Sequence, residues 1–207
     1  MIPVKVLAVR YLANASPALA QSLGAPKGYA CLAMLTTDCD DATYIALDAA
    51  TKASDVQVAY SRSFYGGASN ASTPHAGEVI GILAGATPGA VRSGMEAALA
   101  ALQRIGFEEV NGVSYLAHTV ASTGTFLSKE AGIPLGSALA YLIAPPLESM
   151  YALDAALKSA DVTLCRLYAP PSETNFGGGL LSGTQSACAA ACAAFTQAVT
   201  EVAQNPK

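Results

Sequence analysis

Four carboxylates stand where predicted elements begin or end: Asp40 and Asp41 in TTDCDDATYI, Glu78 in HAGEVIG and Glu148 in APPLES. Acids so placed ordinarily face solvent or cap helices, because a carboxylate accepts hydrogen bonds from the unpaired N–H groups of a first turn. Gathered around an opening by symmetry, they would instead form a polar rim that favours cations. The two histidines, His75 and His118, fall in a predicted loop and a predicted strand, outside any nucleophile motif such as Gly-x-Ser-x-Gly. Cys31, Cys39, Cys165, Cys188 and Cys192 form an odd set without framework spacing, as expected of free thiols in a reducing compartment. Cys188 and Cys192 are four residues apart but have no paired Cys or His ligands nearby, so they read as small core residues rather than a metal site. GGGLLSG (Gly177 to Gly183) and AGATPGAVRSG (Ala84 to Gly94) look superficially like phosphate loops, yet lack the Gly-Lys-Ser/Thr ending and the dinucleotide spacing. The chain does not read as an enzyme, and neither a metal nor a cofactor is expected.

The elements that must position these residues occur twice. ALDAATKASDV (Ala46 to Val56) returns as ALDAALKSADV (Ala152 to Val162) with eight of eleven positions identical. Five of those matches are not alanine: Leu47/Leu153, Asp48/Asp154, Lys52/Lys158, Asp55/Asp161 and Val56/Val162. Upstream, a Gly-x-Pro-x-Gly turn followed by an apolar stretch is also shared, at Gly24 to Gly28 and Gly132 to Gly136. Downstream, Gly77 to Leu102 lies loosely over Gly178 to Val199, each reading as strand, Gly turn and helix. A repeat this long is a duplicated domain rather than a solenoid period, with copies expected at residues 1–108 and 109–207.

Each copy reads as a strand (Lys5 to Leu12; Ser114 to Val120), a short helix, an apolar strand (Tyr29 to Leu35; Ala138 to Ile143), the repeated helix, a further strand and a final strand–helix pair. Asp40 and Asp41 are expected to cap the repeated helix in copy one, whereas Pro145, Pro146 and Glu148 open it in copy two. Asp48/Lys52 and Asp154/Lys158 are i, i+4 pairs in the favourable orientation, worth about 0.2 to 0.5 kcal/mol each. A solvated face and a contact role both fit them. Long loops rich in Gly, Ser, Asn and Pro follow, from Tyr65 to Ala76 and from Ala169 to Gly179, and loops of this length are often functional. The expected class is α/β, helices covering a mixed sheet.

Composition adds a constraint. Hydrophobic residues make up 52% and charged ones 13% of 207 residues, against about 25% charged in an average soluble domain. With so little charge to coat a monomer, burial between subunits is expected. No apolar run approaches the ~20 residues of a membrane span, and the N-terminus lacks the pattern of a secretory signal, which suggests a cytoplasmic protein. A net charge of −4 and scattered basic residues argue against nucleic acid.

The repeated helix resembles the signature of bacterial microcompartment shell proteins, Ala-x-Asp-Ala-x-x-Lys-x-Ala-x-Val, and two per chain point to their tandem, trimeric class. In the common form of that domain the strand bearing a basic edge residue comes last. Here VLAVRYLA, with Arg10, comes first, which resembles a circular permutation. TTDCDDATYIALDAATK, SRSFYGGA and STGTFLSKEAGI are similar to members that serve ethanolamine-utilisation compartments; a choline or other aldehyde-handling compartment is the alternative.

The resemblance implies a pseudohexameric homotrimer that tiles with other shell proteins, and a gated central pore that passes small polar metabolites. It assigns lateral contacts to Lys52, Lys158 and Arg10, with His118 departing from arginine in the second copy. It borders the central pore with Tyr65, Gly66, Gly67, Ser69, Asn70 and His75 from one loop, and with Pro170, Ser172, Glu173, Thr174, Asn175, Phe176 and Gly177 from the other. Smaller openings, associated with ethanolamine, take Asp40, Asp41, Glu78, Phe107 and Glu148, where carboxylates would favour an ammonium and an aromatic would add cation–π attraction. The competing expectation is a soluble small-amine sensor.

Overall fold

Apolar strands and alanine-rich helices alternate through the computed structural model, which describes residues 1–65 and 73–207. In the first copy they run β1 (Val6–Leu12), α1 (Pro17–Ser22), β2 (Cys31–Thr37), α2 (Asp40–Ala53), β3 (Val56–Ser63), β4 (Val79–Gly85) and α3 (Pro88–Leu102). The second copy begins with β5 (Glu108–Val110), then β6 (Val113–Val120), α4 (Thr125–Ala131), β7 (Ala138–Ala144), α5 (Pro146–Ser159), β8 (Val162–Tyr168), β9 (Gly177–Gly183) and α6 (Gln185–Gln204).

The chain divides into two compact units. One comprises Pro3–Ile105 with Gly124–Leu127; the other comprises Met1–Ile2, Gly106–Thr123 and Ser128–Lys207. The first holds a sheet in the order β1-β2-β4-β3 and the second a sheet in the order β5-β6-β7-β9-β8. Apart from β5, the two orders are the same topology. The mixed sheet expected from sequence is corrected, because every strand pairing among the described residues is antiparallel. Strand and helix alternate along the chain, but β4 and β9 insert between strands that precede them in sequence and reverse the direction at each step.

The duplication reaches into the register. Val56 and Cys31 both lie opposite Gly85, as Val162 and Ala138 both lie opposite Gly183. A bulge falls between Val58 and Tyr60 in one sheet and between Leu164 and Arg166 in the other. Both repeated helices have 14 residues, α2 packing on α3 and α5 on α6.

These contacts explain two of the repeated residues. A Cβ on Gly81 would lie 2.6 Å from Leu47 Cδ1, and one on Gly179 would lie 3.4 Å from Leu153 Cδ2. Bare glycine at Gly81 thus lets Leu47 bring α2 down onto its sheet, whereas Leu153 sits at ordinary contact distance and the space at Gly179 is limited by the Arg166 carbonyl oxygen, 2.7 Å from such a Cβ. Around Leu153 the second core gathers Leu142, Leu181, Phe195 and Val199, all buried. Cys188 lies in the same cluster with Cys192, and the five cysteines are free thiols.

Candidate functional site

The first turn of α2 gathers acids. Cys39, extended at φ −150° and ψ 110°, is the N-cap residue. The capping expected of Asp40 and Asp41 is therefore corrected: both lie inside the first turn, and no side chain caps the helix. Thr37 fixes the approach instead, its Oγ1 accepting the Cys39 N–H at 3.2 Å and lying 2.7 Å from Thr43 Oγ1. Asp40 and Asp41 are buried, and Asp40 Oδ1 accepts the Asp41 N–H at 2.9 Å. Glu78 reaches the same place from the other strand, its N–H donating to the Thr37 carbonyl at 2.8 Å and its carbonyl accepting from Phe64 at 2.9 Å.

Burial raises the pKa of Asp40 above the usual carboxylate range, a push that hydrogen bonds from Ser63 and from backbone N–H groups partly oppose. Burial also raises Glu78, and the charges of Asp40 and Asp38 add to it. The Cys39 thiol is pushed up strongly by burial and then by Asp41, with smaller contributions from Asp40 and Glu78. Burial is thus the main cause at all three groups; the charge of Asp40 further disfavours that of Glu78, and Asp41, Asp40 and Glu78 together disfavour the Cys39 thiolate. Among the described residues, no group of three or more His, Cys, Asp or Glu side chains is arranged to hold a metal ion.

Asp38 and Ser63 were missed in sequence. Asp38 was visible two residues before Asp40, and its Oδ1 accepts the Lys5 N–H at 2.7 Å. Ser63 needed the register, which sets it opposite Val79 beside Glu78; its hydroxyl also hydrogen-bonds Tyr44. The structure thus brings Asp40, Asp41 and Glu78 together in one unit. Phe107 and Glu148 belong to the other unit. Phe107 meets Phe176 edge to face with centroids 5.5 Å apart, and half-buried Glu148 sits in the first turn of α5.

Of the first loop, Tyr65 is exposed, and Gly66, Gly67, Ser69 and Asn70 lie outside the described residues. The backbone of His75 is held on both sides: its carbonyl accepts the Thr36 hydroxyl at 2.7 Å and its N–H donates to Thr73 Oγ1 at 3.1 Å. The second loop is shorter than expected, because Gly177 is the first residue of β9, buried and opposite Ala144. It is a strand residue, which corrects its placement in the loop. Between Pro170 and Phe176 the chain closes on itself, with Ser172 N–H donating to the Phe176 carbonyl at 2.8 Å and Asn175 N–H to the Ser172 carbonyl at 3.1 Å. Asn175 takes the left-handed conformation at φ 66°, while Glu173 is exposed and Thr174 half-buried.

At the candidate edge, Lys158 pairs with Asp154 at 2.6 Å and both are exposed. Lys52 pairs with Asp48 at 3.2 Å, but the Asp48 carboxylate is fully buried, so a purely solvated face is corrected for the first copy. Arg10 is exposed and its guanidinium donates to the Val9 carbonyl at 2.8 Å.

Comparison with known proteins decides the family. Residues 31–119 match the BMC domain. The chain is 56% identical over 210 aligned positions to "Bacterial microcompartment shell protein EutL" of Clostridium perfringens, covering 100% of this chain and 97% of the relative. It is 47% identical to the protein of that name from Escherichia coli K12, with coverage of 100% and 96%. The crystal structure of ethanolamine utilization protein EutL from Leptotrichia buccalis superposes with a TM-score of 0.95 at 57% identity, covering 99% and 96% of the two chains. The chain belongs to the BMC domain family. Its role is that of a structural shell protein of a bacterial microcompartment.

The BMC domain match also bears on strand order. It starts at β2, runs through α3 and ends inside β6, the second copy's counterpart of β1. A family whose domain ordinarily ends on that strand would match a permuted tandem chain in this way.

Proposed function

We propose that this shell protein is a trimeric tile with two kinds of opening. Three chains of two copies each supply six quasi-equivalent domains, and neighbouring tiles meet through Lys52, Lys158 and Arg10 to build a shell with other shell proteins. The loops after β3 and β8 border a gated central pore; Tyr65, His75, Pro170, Ser172, Glu173, Thr174, Asn175 and Phe176 are its described candidates. Because the similar proteins carry names tied to ethanolamine utilisation, the compartment is of that type, and the tile acts by structure and passage rather than by catalysis.

The convergence of Asp40, Asp41 and Glu78 carries the assignment of the smaller openings. Partly shielded carboxylates attract a cation more strongly than the same groups in bulk water, and a small ammonium-bearing metabolite such as ethanolamine suits that field. Glu148 and Phe107 are the second copy's candidates for an opening of its own, Glu148 at the matching helix end. Negative-stain electron microscopy over a concentration series tests the tile: flat six-lobed discs that join into hexagonal layers are expected. Small globular particles at every concentration would overturn it.

A further inference from the structure

A closed ring of hydrogen bonds holds the residue that precedes the two acids of α2. Its members are Thr37, the last residue of β2, and Thr43, in the first turn of α2, both fully buried. The Cys39 N–H donates to Thr37 Oγ1 at 3.2 Å, Thr37 Oγ1 lies 2.7 Å from Thr43 Oγ1, and the Thr43 hydroxyl donates to the Cys39 carbonyl at 2.8 Å. Thr37 Oγ1 is also 2.9 Å from that carbonyl. Each hydroxyl has one proton to give, and either order of donation closes the ring on the two peptide groups of Cys39. Bonds linked in this way strengthen one another and fix a single geometry.

Thr37 reaches the third acid through its backbone. Its carbonyl accepts the Glu78 N–H at 2.8 Å, and the residue before Glu78 is Gly77, at φ 66°, where a Cβ would strike that same carbonyl oxygen. One residue thus ties the start of α2 to the strand that carries Glu78.

The duplication supplies the contrast. Thr37 lies opposite Val79 and Ala144 opposite Gly177, so Ala144 takes the place of Thr37 and Phe176 that of Glu78. At the matching helix positions Pro146 and Leu147 replace Asp40 and Asp41, and Ser149 replaces Thr43. The Ser149 hydroxyl donates to the Pro146 carbonyl of its own helix at 3.0 Å, and Ala144 has no hydroxyl to meet it. The second copy makes the same passage from strand to helix without the ring, so the fold does not require it. Ring and acids occur together in one copy and are both replaced in the other.

We infer that Thr37 and Thr43 are positioning residues of the amine site, their hydroxyl ring fixing where Asp40 and Asp41 leave the backbone relative to Glu78. Neither threonine has to touch the amine. Carboxylates meant to meet one small cation need their backbones held by neighbours that are themselves locked, and a buried ring does this where no side chain caps the helix.

The inference rests on the amine-binding reading proposed above, and calorimetric titration of the full chain with ethanolamine separates the two. Thr37→Val keeps the shape and loses the hydroxyl; it should weaken binding about tenfold. Thr37→Ser keeps the hydroxyl and loses a methyl; it should bind as the wild type does while melting at a lower temperature. Unchanged affinity in Thr37→Val, or affinity that follows melting temperature rather than the hydroxyl, overturns the positioning role alone. A wild type that gives no binding heat, or that keeps its affinity in Asp41→Asn, overturns the amine site and this inference with it. Should Thr37→Val lose its far-ultraviolet circular dichroism, Thr37→Ser/Thr43→Ser decides: wild-type affinity in a ring rebuilt from serines supports the role, and weakened affinity in that folded variant overturns it.

Discussion

Asp48 holds the backbone of Leu127: its Oδ1 accepts the Leu127 N–H at 2.8 Å while its Oδ2 takes the Gly124 N–H at 2.7 Å and lies 3.2 Å from the Lys52 ammonium. Asp154, its counterpart in the repeat, has Lys158 at 2.6 Å and remains exposed. One residue type at one helical phase thus has two energetic roles. Hydrogen bonds to a buried charged group are worth about 1.5 to 3 kcal/mol, and deleting the acceptor leaves its donors unpaired.

Asp48→Ala should therefore destabilise the first-copy unit by about 3 kcal/mol, whereas Asp154→Ala in the isolated chain should cost about 0.5 kcal/mol or less, as exposed pairs do. Urea unfolding of the two variants, at protein concentrations low enough to keep each monomeric, measures the difference. Equal losses would show that the carboxylate of Asp48 is not the anchor of that turn.

A second prediction concerns the glycines under the repeated leucine. Gly81→Ala brings a methyl to 2.6 Å from Leu47 Cδ1, and Gly179→Ala brings one to 2.7 Å from the Arg166 carbonyl oxygen. Overpacking costs about 1 to 3 kcal/mol, and a backbone atom yields less readily than the end of a side chain. Gly179→Ala should lower the melting temperature more than Gly81→Ala, read by differential scanning calorimetry.

Sequence carried the duplication, the order of elements and the family because all three live in local patterns: an eight-in-eleven helix match, Gly-x-Pro-x-Gly turns and apolar strands. Strand direction was not local. It depends on β4 and β9 entering between earlier strands, which alternation along the chain does not encode. The Asp48/Lys52 pair looked like a solvated face because its burial comes from a segment 76 residues away in sequence. The acids of α2 were legible as neighbours of a helix start, but their shared desolvation with Glu78 and Ser63 required the β3–β4 register. Gly177 was assigned to the loop because a run of three glycines resembles a turn. Glycine there instead leaves room for Ser149 and Pro170, whose atoms would lie 2.7 and 3.0 Å from a Cβ.

Charge reversal tests the edge. Lys52→Glu combined with Lys158→Glu should leave far-ultraviolet circular dichroism and trimer mass unchanged while weakening lateral sheets, scored as the protein concentration at which layers appear in negative stain. Layers forming at the wild-type concentration would remove both lysines from the tile-to-tile contact. Because the pairing partners Asp48 and Asp154 then face a like charge, Lys52→Glu should also cost the more stability, its partner being the buried one.

The acid cluster makes the last prediction, and its sign follows from linkage. Burial raises Asp40 and Glu78 above their ordinary carboxylate values in the folded chain, so between the unfolded and folded pKa the native state binds more protons than the unfolded state. Stability contributed by these protons is complete below the unfolded value and is lost as pH rises through the folded one. Acidification from neutral pH into the range just above ordinary carboxylate values should therefore raise the unfolding midpoint of the wild type. Asp40→Asn/Glu78→Gln should flatten that slope and be the more stable protein at neutral pH. Ethanolamine affinity, measured by calorimetry in the same buffers, should fall over the same interval, because a protonated carboxyl no longer attracts the ammonium. A midpoint that falls on acidification through this window, with the double variant behaving as the wild type, would mean that these acids do not share a desolvated space.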